Sequence, residues 1–114
     1  MRYSLIVPYF RTPEITRVCL YSIFKYARGE LQVIVVDNAP GGAESAMLAE
    51  FPKVKIINNK TDLRGSPANF AALDLGLARA AHDLVCLIHS DTIFLEAGWD
   101  LACFSRLESL SSIW

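Results

Sequence analysis

Three short unbroken apolar runs, at residues 5–7, 33–36 and 84–88, and a fourth at 54–57 broken by Lys55, are separated by stretches in which apolar residues recur at helical spacing. Runs this short and uninterrupted mark strands covered on both faces, which belong to parallel sheets flanked by helices. The first strand is expected over 3–8, with Leu5, Ile6 and Val7 at its centre and Pro8 ending its ladder. Thr12-Pro13-Glu14 then announces a helix through an N-cap, a first-turn proline and an acid at the positive end of the dipole. Ile15, Val18, Cys19, Ile23 and Tyr26, with small Ser22, form its inner stripe, and Gly29 stops it. The second strand, 31–36, runs straight into Asp37-Asn38-Ala39-Pro40-Gly41-Gly42. A short helix over about 43–51 and Pro52 lead to a third strand, 54–57, whose Lys55 marks an edge. After a polar loop at 58–65, Ser66-Pro67 repeats the cap-then-proline signature, and Phe70, Leu73, Leu77 and Ala80 or Ala81 stripe a helix ending near His82. The fourth strand, 84–88, ends in His89-Ser90-Asp91-Thr92, and Phe94, Leu95, Leu101, Phe104 and Leu107 predict a last helix from about 96 or 98 to 109.

Strand and helix alternate throughout, with crossovers of the length that right-handed βαβ units need. The fold class is therefore α/β, a Rossmann-like open parallel sheet of about four strands with helices on both faces. At 114 residues, with no repeat, linker or low-complexity tract, the chain reads as a single domain over 1–114. An apolar fraction of 53% against 20% charged excludes disorder. A net charge of −1, with lysines and arginines scattered among acids, excludes a nucleic-acid footprint. The apolar runs fall far short of the roughly 18 residues needed to span a bilayer, and Met-Arg-Tyr-Ser opens no secretory signal, so the expected compartment is the cytoplasm. Cys19, Cys86 and Cys103, odd in number and at apolar positions, read as reduced core thiols.

Three strand ends carry polar groups: Pro8-Tyr9-Phe10-Arg11, Asp37-Asn38 and His89-Ser90-Asp91. In open α/β sheets, ligands bind outside the carboxyl ends of the strands, at the switch point of the strand order. With the first strand central and the second and fourth beside it, Asp37 and Asp91 are expected to bracket one crevice. Two carboxylates there suit ribose hydroxyls and a hard divalent cation. Asp91 has a competing reading as the cap of the next helix, and Asn38 as a turn former. There is no Gly-x-Gly-x-x-Gly after the first strand and no Gly-Lys-Ser/Thr loop, which removes the dinucleotide and Walker readings.

The pieces 4–11 (Ser-Leu-Ile-Val-Pro-Tyr-Phe-Arg), 33–38 (Val-Ile-Val-Val-Asp-Asn), 64–70 (Arg-Gly-Ser-Pro-Ala-Asn-Phe) and 89–92 (His-Ser-Asp-Thr) together resemble the amino-terminal half of a family 2 glycosyltransferase of the GT-A fold. The resemblance runs from Ser4 to about Trp99. It implies that Pro8, Tyr9 and Arg11 line the base pocket and that Asp37, with Asn38, holds the base or ribose of a nucleotide diphosphosugar. Arg64 and Gly65 precede a helix amino terminus, which attracts phosphate, and Asn69 on its first turn faces ribose or water. Ser90 and Asp91 complete the set, Asp91 being the ligand of Mn²⁺ or Mg²⁺ together with the diphosphate. Members commonly carry Asp-x-Asp where this chain has His89-Ser90-Asp91. His89, a softer ligand that suits Mn²⁺ better than Mg²⁺, is either a second ligand or a hydrogen-bonding group at the strand end. His82 reads as structural.

The resemblance implies transfer of a hexosyl group from a UDP, GDP or dTDP sugar to an acceptor hydroxyl, with inversion, the acceptor being a glycan or a lipid-linked sugar met at the membrane periphery. The general base it implies lies beyond this chain, since Glu96, Asp100 and Glu108 read as solvated. The acceptor half is thus expected to be missing and the chain alone to be weakly active or inactive. Phe104, Leu107 and Trp114 are expected to expose an apolar flank through which copies self-associate. The alternative is a non-catalytic module, either a degenerate nucleotide-sugar binder or a scaffold. A receiver-like domain is excluded, because Tyr9-Phe10 and Asn58-Asn59 occupy the positions its acidic residues would need.

Overall fold

A computed structural model describes residues 2–111. Strand β1 (Arg2–Tyr9) is followed by helix α1 (Pro13–Tyr26), β2 (Glu30–Asp37), a 3₁₀ segment (Ala43–Glu50), β3 (Lys55–Asn58), α2 (Gly65–Arg79), β4 (Val85–Leu87) and α3 (Trp99–Ser111). The four strands form one parallel sheet in the order β3-β2-β1-β4, so β1 and β2 are central and the order reverses beside β1. Ile113 and Trp114 lie outside the described residues.

Alternation along the central strands explains why they are apolar on both sides. Tyr3, Leu5, Val7 and Tyr9 of β1, with Val33 and Val35 of β2, face a core built with α1, the 3₁₀ segment and α3. Ile6, Ile34 and Val36 face the other way, onto Ala72 of α2. Buried Ser4 on that second face donates to Gln32 Oε1 at 2.8 Å, and the same oxygen accepts from Ala81 N at 2.9 Å, so no polar group is stranded there.

Helix α2 turns a different stripe inward from the expected one. Ala68, Ala72 and Gly76 are buried, while Phe70 is 67% and Leu77 47% exposed. Closeness explains the choice: a Cβ at Gly76 would stand 2.7 Å from Ile6 Cδ1 and Cγ2, so only the small stripe lets the helix lie this close to β1. In α1, Thr16 and Leu20 take the core places expected for Ile15 and Val18, which remain 38% and 44% exposed. Thr12 makes no capping bond; its Oγ1 pairs with Thr16 Oγ1 at 3.1 Å.

Strand β4 departs from the expectation of a strand covered on both faces. It is a three-residue edge strand with Val85 and Cys86 half-buried and Leu87 39% exposed. Helix α3 likewise exposes Leu101 and Leu107 but buries Phe104, whose ring lies 4.8 Å from that of Tyr3, so Phe104 is removed from the expected open flank. Cys103 is exposed rather than a core thiol.

Asp100 was expected to be solvated and is instead wholly buried. It accepts from Tyr3 Oη at 2.7 Å, Gly29 N at 2.8 Å, Arg28 N at 3.0 Å and Leu101 N at 3.0 Å. Burial alone would push this carboxyl up, but the bonds from Tyr3, Gly29, Arg28 and Leu101 outweigh it and hold it below the usual value. Burial and the Asp100 charge in turn push the Tyr3 phenol far up.

Candidate functional site

The carboxyl ends of β1, β2 and β4 and the start of α2 enclose a cleft of about 260 Å³. Pro8, Tyr9 and Phe10 line it from the end of β1, with Thr12 just ahead of α1 and Ile15 in its first turn. Asn38 comes from the end of β2, and Leu63, Arg64, Gly65, Ala68 and Asn69 from the loop and first turn of α2. His89, Ser90 and Asp91 close the side after β4. A second cavity of about 360 Å³ shares Asn38 and Arg64 with the first and adds Arg11, the loop from Ala39 to Gly42, Glu44, Lys60, Thr61 and Asp62.

Eight of the ten expected sugar-nucleotide residues border the first cleft, namely Pro8, Tyr9, Asn38, Arg64, Gly65, Asn69, Ser90 and Asp91, and His89 joins them. Arg11 borders the second cavity instead. Its backbone is left-handed at φ 50°, unusual for a side-chain-bearing residue, and its guanidinium lies 5.3 Å from the Phe10 ring centroid. Asp37 borders neither cavity.

Asp37 is 1% exposed and its oxygens are used within its own loop. Oδ1 accepts from Ala39 N at 3.0 Å and Oδ2 from Ser45 Oγ at 2.5 Å, so the carboxylate ties down the segment between β2 and the 3₁₀ turn. It does not bracket the crevice with Asp91 as expected. Tyr9 is similar: it contributes to the wall, while its buried hydroxyl donates to Glu44 O at 2.5 Å. Burial, then the charges of Asp37 and Glu44, push that phenol up and keep it protonated.

Asp91 is exposed and faces the cleft. It lies in a tight turn closed by Thr92 N donating to His89 O at 3.1 Å, and α3 begins only at Trp99, so Asp91 does not cap that helix. Beneath it, Cys19 Sγ donates to His89 O at 4.0 Å. Burial, with the Asp91 charge adding to it, pushes the Cys19 thiol up to about 12, which leaves it a neutral core group.

Helix α2 starts at Gly65, one residue ahead of the expected Ser66 cap. Gly65 takes φ 62°, a left-handed turn that glycine adopts without strain. No side chain caps the helix, and since Pro67 has no N–H, the uncapped amides inside its first turn are those of Gly65 and Ser66, beside the cleft that Gly65 and Asn69 border. Arg64 stands over this opening. Its guanidinium lies 4.3 Å from the Phe10 centroid and Nη1 donates to Leu63 O at 2.7 Å, which holds a cation at the rim.

Sequence reasoning passed over Phe10, Leu63, Ile15 and Asn59. Phe10 follows Tyr9 and would have read as a platform for a cation only once Arg64 was known to be near. Asn59 Nδ2 donates to Asn38 Oδ1 at 2.9 Å, a contact 21 residues apart in sequence that no local pattern announces. Among the described residues no group of three or more His, Cys, Asp or Glu side chains is arranged to hold a metal ion. None of the described helices is long and apolar enough to cross a membrane.

The family model described as glycosyl transferase family 2 matches residues 4–109. No curated protein matches the chain significantly. Among solved structures, S. aureus TarS superposes with a TM-score of 0.77 at 20% identity, over 95% of this chain and 20% of that one. TarS 1–349 in complex with UDP gives 0.74 at 20% identity, over 96% and 32%. The mannosyltransferase PcManGT from Pyrobaculum calidifontis, in complex with GDP-Man and Mn²⁺, gives 0.65 at 19% identity, over 81% and 28%. The chain thus spans between a fifth and a third of the length of these chains, and the likeness establishes a GT-A glycosyltransferase fold for the part that is shared.

Proposed function

The chain belongs to glycosyl transferase family 2, and from that membership we propose that its cleft binds the nucleotide diphosphosugar donor for transfer of a hexosyl group to an acceptor hydroxyl, with inversion. One observation carries this reading. An open helix amino terminus, an exposed carboxylate and a rim cation converge on one cleft at the point where the strand order reverses. Free amides and Arg64 suit a diphosphate, and the walls from Pro8 and Phe10 suit the flat base. Structures of TarS with UDP and UDP-GlcNAc, and of PcManGT with GDP-Man, support a UDP or GDP sugar within the proposed class of UDP, GDP and dTDP sugars.

Asp91 is the sole acidic side chain among the described residues of the cleft. A single exposed carboxylate fits Mn²⁺ or Mg²⁺, which takes one or two protein oxygens and completes its shell with phosphate and water. Asp91 would hold the ion, with His89 beside it, and the bound ion would supply positive charge to the diphosphate leaving group. The α2 amides and Arg64 neutralise the same oxygens from the protein side, and the cleft wall holds the sugar so that the acceptor oxygen approaches the anomeric carbon opposite the leaving group. With Asp91 given to the ion and His89 beside it, no further carboxylate or imidazole among the described residues of the cleft is left to act as general base toward an acceptor. A glycan or lipid-linked acceptor would therefore be activated by a part of a full-length enzyme that this chain does not supply. The cytoplasm, at or near a membrane bearing such an acceptor, goes with this reading. Exposed Leu101 and Leu107 support self-association, which a purely monomeric sedimentation profile would rule out.

A second reading, a nucleotide-sugar-binding module without catalysis, is favoured by that absence of a second carboxylate. Calorimetric titration of UDP, GDP and dTDP sugars with and without Mn²⁺ separates the two. Binding strengthened by Mn²⁺ supports the enzyme domain, metal-independent binding supports the module, and absence of heat with every sugar nucleotide defeats both. Sustained sugar transfer by the 114-residue chain alone would contradict the missing base.

A further inference from the structure

The contact between Arg64 and Phe10 is one that a base stacked in the cleft could not leave in place. Phe10 is half-buried and borders the cleft, and the Arg64 guanidinium covers its ring at 4.3 Å from the centroid. A flat base stacks on an aromatic ring at about the same separation, so guanidinium and base compete for one face. Arg11 stands over the ring as well, at 5.3 Å, so cations cover it before any ligand arrives. Yet Arg64 is held only by neutral groups. Its exposed side chain donates through Nη1 to Leu63 O at 2.7 Å and to Thr61 O at 3.3 Å, both in its own loop. Among the described residues Nε and Nη2 have no acceptor, and the ion pairs are Arg2–Glu30 and Arg17–Glu50, so no carboxylate anchors Arg64. Arg64 borders both cavities whereas Phe10 borders only the first, which gives the guanidinium space to leave the ring.

We infer that Arg64 is a specificity-determining gate: in the empty site it occupies the Phe10 face on which a base would stack, and a phosphate that draws the guanidinium away bares that face. The inference rests on the reading of the cleft as a nucleotide-sugar site and adds what the site refuses, namely nucleosides and free bases. An exposed guanidinium–ring contact is weak, and a charge-assisted, forked bond to phosphate is much stronger. A nucleotide therefore exchanges one for the other, with the base taking the ring and the guanidinium taking the phosphate. A nucleoside has to displace Arg64 and offers it nothing in return. The selection follows from two groups needing one ring face, and it acts alike on every base.

The test is titration of the full chain, wild type and Arg64→Ala, with UDP, GDP, uridine and guanosine, with and without Mn²⁺. Calorimetry follows the diphosphates and ligand-observed NMR the nucleosides. Arg64→Ala is expected to weaken the diphosphate by roughly 10-fold and to strengthen the nucleoside of the same base by roughly two- to fivefold. Loss of a phosphate contact alone gives the first change and cannot give the second. In a Phe10→Leu background, Arg64→Ala should bring no gain in nucleoside binding, since the contested ring is gone. A thermal melt checks each variant, and Arg64→Gln stands in should Arg64→Ala fail to fold. Nucleoside binding that is unchanged, weaker or undetectable in the folded variant overturns the inference while leaving nucleotide binding intact. So does an unaltered diphosphate affinity, or a nucleoside gain that persists without the Phe10 ring. A wild type that binds neither UDP nor GDP removes the nucleotide reading and this inference with it.

Discussion

Asp100 offers the sharpest prediction, because a carboxylate with no exposure receives four separate donors and can be altered by one atom. Asp100→Asn keeps one oxygen and replaces the other with NH₂. The milder orientation puts NH₂ in place of Oδ1, leaving Tyr3 Oη and Gly29 N on the retained oxygen but setting Leu101 N–H against another donor. A stranded buried donor costs about 1–3 kcal/mol, and losing the charge on the remaining bonds adds to it, so a loss of about 2–4 kcal/mol is expected. For a domain of this size that lowers Tm by roughly 10–25 °C. The exposed Arg2–Glu30 pair, at 2.8 Å, provides the contrast. Glu30→Ala should move Tm by no more than roughly 2 °C. The pH dependence follows from the same bonds. Because the folded carboxyl sits below its ordinary 3.8, its contribution is complete above that value and is lost as pH falls through the lowered folded value. The Tm gap between wild type and Asp100→Asn should therefore be constant near neutrality and narrow below about pH 4. A gap under roughly 2 °C at pH 7, or one that widens in acid, would refute the assignment of Asp100 as a charged latch.

Two further outcomes follow from the packing and the cleft. Gly76→Ala gains up to about 1 kcal/mol in helix propensity but forces a methyl against Ile6, at about 1–3 kcal/mol, so a net loss near 1 kcal/mol by chemical denaturation is expected. In an Ile6→Ala background the same change should become neutral or stabilising, and additive costs would show that the two residues do not touch. Asp91→Asn should remove the Mn²⁺ enhancement of sugar-nucleotide binding while changing metal-free binding by less than roughly threefold. Retention of the Mn²⁺ effect in calorimetry would show that another group holds the ion.

The sheet was readable in the sequence because β1 and β2 are buried on both sides, so every residue from Leu5 to Val7 and Val33 to Val36 had to be apolar. The inner face of α2 was not readable. Periodicity weighs large apolar side chains, whereas closeness to Ile6 selected Ala68, Ala72 and Gly76 and left Phe70 outside. The apolar run at 84–88 suggested a covered strand, yet β4 pairs only with β1 among the described residues and is an edge. Asp100 escaped notice because three of its four donors come from the start of β1 and the α1–β2 turn, more than 70 residues away in sequence. Most of the cleft was legible, since strand ends and a glycine at a helix start are local features. The Asn38–Asn59 pair was not, because it joins two separate strand ends.

A polar residue at a strand's carboxyl end is available to a ligand only if the fold has not already used its hydrogen-bonding capacity. Asp37 has the position, but Ala39 N and Ser45 Oγ occupy both its oxygens and burial keeps it from the cavities. Converting it to a ligand-binding group would strand those two donors, so its stable role is to shape the loop that begins at Asn38. Asp91, in an exposed turn, has no such commitment and can give both oxygens to a cation or a hydroxyl. Asn38 is intermediate, with one end of its amide engaged by Asn59 and the other open. The three strand ends thus divide into a carboxylate that builds the site, a carboxylate that serves it, and an amide held halfway between.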